Sequence, residues 1–143
     1  TEGHYTVTPE MKAKMADFCG GFATEAEDAA AIRELYDETG YVIDTHTGVA
    51  SAVYQQYKKN TGDETKTVIA STASPYKFSR SVMEAISDEK LPEDEFAVID
   101  ELCRVSGVEI PKAVEEIRNA QIRHKLECNV QDMKKTVAKI LGI

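Results

Sequence analysis

Two short segments carry side chains that can do chemistry. In "VIASTASPYKF", residues 68 to 78, an apolar run ends in two hydroxyl residues, Ser71 and Thr72, and Lys77 follows between Tyr76 and Phe78. A hydroxyl can donate a hydrogen bond to an uncharged ring nitrogen or accept one from a neighbour. Pro75 restrains the loop, and Lys77 offers three donors on a flexible stem, suited to a phosphate or a carboxylate. In "IDTHTGVA", residues 43 to 50, a strand-like run leads into a helix whose N-terminus holds Asp44, Thr45, His46 and Thr47. The free N–H groups of such a terminus attract anions, and an imidazole can move protons near neutral pH. Plainer readings stand beside these: Asp44 caps, Ser71 and Thr72 satisfy a turn, Lys77 is solvated, and His46 is an ordinary first-turn residue. His4 and His124 have no functional reading.

Helices must position these residues. Thr8-Pro9-Glu10 reads as a helix start, with Met11, Met15 and Phe18 at helical spacing and Gly20-Gly21 as the stop. Thr24 and Glu27 make a capping box for a helix that carries Ala29, Ile32, Leu35 and Tyr36 and stops at Gly40. "YVID" reads as a brief strand or an extended connector. Asp44 then caps a helix with a stripe of Val49, Ala50, Val53, Tyr54 and Tyr57. After the "NTGDET" turn, "KTVIAS" is the best strand, an unbroken apolar run of the kind covered on both faces. Further helices carry Val82, Met83 and Ile86, then Phe96, Ile99 and Leu102, then Val114 and Ile117, and finally Val130, Met133, Val137, Ile140 and Leu141.

This inventory predicts an α/β fold, helix-rich, with a small, mostly parallel sheet flanked by helices. It also contains too few strands to cover "KTVIAS" on both sides, so the missing strands are expected in sequence outside these residues.

Bulk properties narrow the function classes. The 143 residues are 42% hydrophobic and 29% charged, as in a soluble globular domain. A net charge of −8, spread along the chain, argues against a nucleic-acid surface or an acidic membrane as partner. No apolar run approaches the roughly 18 residues of a membrane span. Cys19, Cys103 and Cys128 are odd in number and widely spaced, which fits reduced thiols in the cytoplasm and neither a disulfide framework nor a metal site. Walker, dinucleotide and serine-elbow motifs are missing.

Together, "DTHTGVA" and "STASPYKF" resemble the threonine synthase family, pyridoxal-phosphate enzymes of the tryptophan-synthase-β-like class (fold type II). That family shows an Asp-Pro-His-Thr-Ala-Val-Ala type motif and a strand ending in Ser-Thr-Ala-x-Pro-x-Lys-Phe. Here Thr45 replaces the usual proline and Gly48 the usual alanine. "GHYTVTPEM", "FCGGFATEAED" and "MKKTVAKILG" agree as well, so the likeness runs over nearly the whole chain.

The resemblance implies a carbon–oxygen lyase that converts O-phospho-L-homoserine and water to L-threonine and phosphate. It implies that Thr72, with Ser71 as second choice, hydrogen-bonds the pyridine nitrogen of pyridoxal phosphate, where a hydroxyl leaves the nitrogen largely neutral. It implies that His46 and Lys77 contribute to the phosphate or carboxylate site of the substrate. The family's Schiff-base lysine, in a Phe-Lys-Asp type motif, and its phosphate-holding glycine- and asparagine-containing loop have no match in these residues. The expectation is therefore a C-terminal part of the enzyme, inactive alone. Residues 1–88 would complete the cofactor-binding domain, and residues 89–143 would form a helical extension packing on it. The remainder of its own chain would be the main partner, with self-association through the exposed docking surface as a substitute. Two other readings compete: a non-catalytic helical interaction module, and another enzyme of the same cofactor class such as a threonine or serine dehydratase.

Overall fold

The computed structural model describes residues 3–143, which divide into two compact units at Pro111/Lys112. Helix starts in the first unit follow the side-chain caps. Helix α1 (Pro9–Lys14) opens where the Thr8 hydroxyl accepts from the Met11 N–H. It stops well short of Gly20-Gly21, because Met11, Met15 and Phe18 stay exposed and no buried apolar face supports further turns. Helix α2 (Glu25–Thr39) has both halves of its capping box: Thr24 takes the Glu27 N–H, and Glu27 takes the Thr24 N–H at 2.7 Å. Helix α3 (Thr45–Thr61) is capped by Asp44. A 3₁₀ turn, Pro75–Phe78, runs directly into α4 (Ser79–Ile86), and Asp94 caps α5 (Glu95–Ser106).

Helix α2 packs against both α3 and α4, and α4 packs against α5. Ile32, Val82, Met83, Val98 and Leu102 are fully buried between them. Each such side chain contributes about 1.5–3 kcal/mol by leaving water. Arg33 ties α2 to the end of α4, donating from Nε to the Ala85 carbonyl at 2.6 Å and pairing with Asp88 at 2.8 Å. Tyr76 anchors the 3₁₀ turn, buried and donating its hydroxyl to the Val108 carbonyl. Burial, with the neighbouring Cys103 thiol, pushes its phenol up to about 12, so it stays a donor at neutral pH.

The expected sheet does not form. Among the described residues there is no β-strand, and the fold is helical rather than α/β. "KTVIAS" forms no regular element and pairs with no other segment, and Val68 is 94% exposed. The cause is the absence of a neighbour. A strand exists only by backbone pairing, and the other strong apolar patterns of this chain have a helical period and are spent on helices. "YVID" is a connector without regular structure, whose Val42 and Ile43 are buried.

The second unit holds α6 (Lys112–Arg118), a 3₁₀ turn at Val130–Asp132 and α7 (Met133–Leu141). The "NAQIRHKLE" stretch between them forms no regular element, and Met133, Val137, Ile140 and Leu141 on α7 are exposed.

Gly48 sets how closely α2 and α3 approach. A Cβ there would lie 2.0 Å from Asp28 Oδ1 and 2.8 Å from Ile32 Cγ1. Gly48→Ala is therefore expected to lower stability by about 1–3 kcal/mol, despite alanine's better helix propensity. Adding Asp28→Ala should recover part of the loss and leave the share due to Ile32. Thermal melts of the two single variants and the double variant check this; an additive double variant would show that Asp28 is not the obstacle.

Candidate functional site

The node of the site is the Asp44 carboxylate, 1% exposed. As the N-cap of α3 it accepts the His46 N–H at 2.9 Å and the Thr47 N–H at 3.4 Å, both on Oδ1. The same oxygen lies 3.1 Å from His46 Nδ1. Oδ2 accepts from the Thr47 hydroxyl and, at 3.4 Å, from Ser71 Oγ. Thr47 Oγ1 and Ser71 Oγ are 3.0 Å apart. One carboxylate thus joins the start of α3 to the loop before the 3₁₀ turn.

The contacts continue on the exposed side. The His46 side chain is 49% exposed, and its ring stacks on Phe78 with centroids 5.7 Å apart and planes inclined by 28°. Lys77 Nζ lies 5.6 Å from the centre of the Phe78 ring. Ser71, Asp44, His46, Phe78 and Lys77 therefore form one chain of neighbours drawn from the two segments. Thr72 follows Ser71, is exposed, and makes no side-chain hydrogen bond among the described residues. The sequence reading named Ser71, Thr72, His46 and Lys77. There Asp44 was a cap assisted by the neighbouring hydroxyls, Thr47 among them, and Phe78 had no part, although all three stand within the quoted motifs.

Phe78 also lines a cleft of about 420 Å³ with Glu25, Asp28, Thr45, Ser81 and Glu84. Three carboxylates on its wall make it a poor host for an anion. The His46 imidazole and the Lys77 ammonium each lie against the Phe78 ring.

Asp44 and Asp28 are pushed in opposite directions. Burial pushes Asp44 up, but the Thr47 hydroxyl, two backbone N–H groups and the His46 ring outweigh it and hold the carboxyl below its ordinary 3.8. Burial, with the nearby Asp44 charge, raises Asp28 above 3.8, and its Oδ1 is buried without a hydrogen-bond partner. By linkage, Asp44 contributes stability that is present above pH about 4 and is lost as pH falls through its lowered folded value. Asp28 does the reverse, costing stability as pH rises through its raised value. Asp44→Ala should cost at least about 0.5–2 kcal/mol at pH 7 through loss of the cap, and the deficit should shrink below pH 4. Asp28→Asn should stabilise at pH 7, with the gain vanishing below pH 4. Urea unfolding between pH 3 and 7 measures both; pH-independent differences would refute the assignment.

Among the described residues no helix is long and apolar enough to cross a membrane. A family model described as "Threonine synthase, C-terminal" matches residues 47–136. Human "Threonine synthase-like 1" is 30% identical over 94 residues, 65% of this chain and 12% of that protein. "Threonine synthase" of Schizosaccharomyces pombe is 35% identical over 88 residues, 60% of this chain and 17% of its own length. "Threonine synthase" of Corynebacterium glutamicum is 30% identical over 92 residues, 63% of this chain and 18% of its own. The matched stretch thus spans less than a fifth of these relatives. No solved structure matches the chain.

Proposed function

This chain belongs to the threonine synthase family, and on that premise we propose that it contributes one wall of the active site of an enzyme converting O-phospho-L-homoserine and water to L-threonine and phosphate. The observation that carries the reading is the meeting of the two motif segments through Asp44, which joins hydroxyls to an imidazole whose stacking partner, Phe78, also neighbours the Lys77 ammonium. Pyridoxal phosphate, the cofactor implied, supplies the electron sink for carbanion chemistry at the amino acid.

The donor chemistry of this chain fits that cofactor. A pyridine ring needs one polar partner at its nitrogen, and a hydroxyl serves without forcing protonation. The Ser71 hydroxyl is engaged by Asp44 and Thr47, whereas that of Thr72 is exposed and uncommitted among the described residues. Thr72 is therefore the residue we assign to the ring nitrogen, with Ser71 holding the loop. His46 and Lys77 bind the anionic groups of the substrate.

The unpaired Thr67–Ala70 segment, with Ala50, Val53, Tyr54 and Tyr57 of α3, borders an open, mostly apolar groove of about 530 Å³. We assign the remainder of the protein to it, pairing with the free backbone. The lysine needed for covalent attachment of the cofactor would come from there, so these 143 residues alone would be inactive.

The test compares this chain with the chain extended upstream to its start codon. The extended protein should turn yellow with pyridoxal phosphate and release phosphate from O-phosphohomoserine. Thr72→Ala should lower kcat by about 10-fold, the worth of one such hydrogen bond, and Thr72→Ser should restore most of it. Cofactor binding with release of ammonia from threonine or serine instead would favour the dehydratase reading. An extended protein that binds no cofactor would favour a non-catalytic module.

A further inference from the structure

We propose that Asp44 is a positioning residue that makes His46 the acid–base group of this site, fixing a proton on Nδ1 and leaving Nε2 to exchange a proton with the phosphate of the substrate. The inference rests on the substrate class argued above and deepens it.

The geometry determines which nitrogen works. An ionised carboxylate only accepts, so a ring whose Nδ1 lies 3.1 Å from Asp44 Oδ1 carries its hydrogen there. Nε2 makes no hydrogen bond among the described residues, and the side chain is 49% exposed. Neither partner can easily turn away. Asp44 is held by the His46 and Thr47 N–H groups on one oxygen and by the Thr47 and Ser71 hydroxyls on the other. The imidazole is held by the stacked Phe78 ring. A carboxylate that served only as a cap would need none of the side-chain contacts, and a surface histidine would not be fixed in both orientation and tautomer.

The chemistry explains the use. A phosphate monoester that leaves without a proton departs as a strongly basic trianion, so a proton donor at its bridging oxygen lowers the barrier. The protonated ring gives up its Nε2 hydrogen as the carbon–oxygen bond breaks. The electron pair stays on that oxygen, and hydrogen phosphate leaves. His46 remains neutral with its hydrogen on Nδ1. The water that later adds to the substrate gives its hydroxyl to carbon and one proton to Nε2, which restores the ring. Over the cycle, one proton has passed from water to phosphate. Lys77, on the far neighbour of the same stack, supplies positive charge to the non-bridging oxygens.

Two measurements test this. The first is ¹⁵N NMR of the histidine-labelled chain at a pH where the ring is neutral, with His46→Asn identifying the signal among His4, His46 and His124. His46 should be the Nδ1–H tautomer. In Asp44→Ser, which still caps α3 but is too short to hold the ring, the preference should revert to the Nε2–H form usual for a free imidazole. An Nε2–H tautomer in the unaltered chain overturns the proposal, even if the serine variant does not fold.

The second is turnover by the extended protein. His46→Asn places an amide nitrogen where Nδ1 was, keeping the Asp44 contact and removing only Nε2. It should lower kcat by roughly 100-fold, a larger factor than any rise in KM, and the cofactor's absorbance should persist. Unchanged kcat in that variant overturns the acid–base role alone. Absence of phosphate release from the unaltered protein overturns the substrate reading on which this proposal rests, and with it the role toward phosphate.

Discussion

A carboxylate removed from water must be fully hydrogen-bonded or it becomes a large penalty. Asp44 meets that requirement with donors from two places: the first turn of its own helix, and the loop more than twenty residues later. The rest of the first unit depends on this solution. The start of α3 fixes where Gly48 meets α2, and the contact with Ser71 fixes where the chain enters the 3₁₀ turn and α4. One group is thereby a helix cap, a brace between segments and the partner of an imidazole.

The interface between α2 and α3 shows the opposite economy. Asp28 is buried beside Asp44 with one oxygen unpaired, and that oxygen fills the space where a side chain at position 48 would go. Two neighbouring carboxylates thus have opposite fates: donors outweigh burial and lower Asp44, whereas burial and the charge of Asp44 raise Asp28. The difference follows from the neighbourhood and not from the residue type. It also accounts for glycine at a position where the family's motif usually has alanine. The helices here are closer than a methyl group allows.

Local features were readable in the sequence. The caps at Thr8, Thr24 and Asp44 act within three residues, so their spacing announces them. The buried stripe of Val82, Met83 and Ile86 was equally plain, because one helix face carries it. "KTVIAS" was misread for the same reason in reverse: apolar content is a property of the segment, but pairing is a property of its neighbours, and none of the described residues pairs with it. The four residues first singled out for chemistry were legible from their types. What joins them was not, since nothing in the spacing of Asp44 and Ser71 shows that a hydroxyl and a carboxylate 27 residues apart will share a hydrogen bond.

The unpaired segment before the 3₁₀ turn bears on how the polypeptide fares in a cell. A stretch with free N–H and C=O groups and an outward valine is what proteases thread into their clefts and what growing aggregates add to their edges. The six residues Lys66 to Ser71 are thus the stretch of the first unit on which a protease or a growing aggregate would find the least resistance.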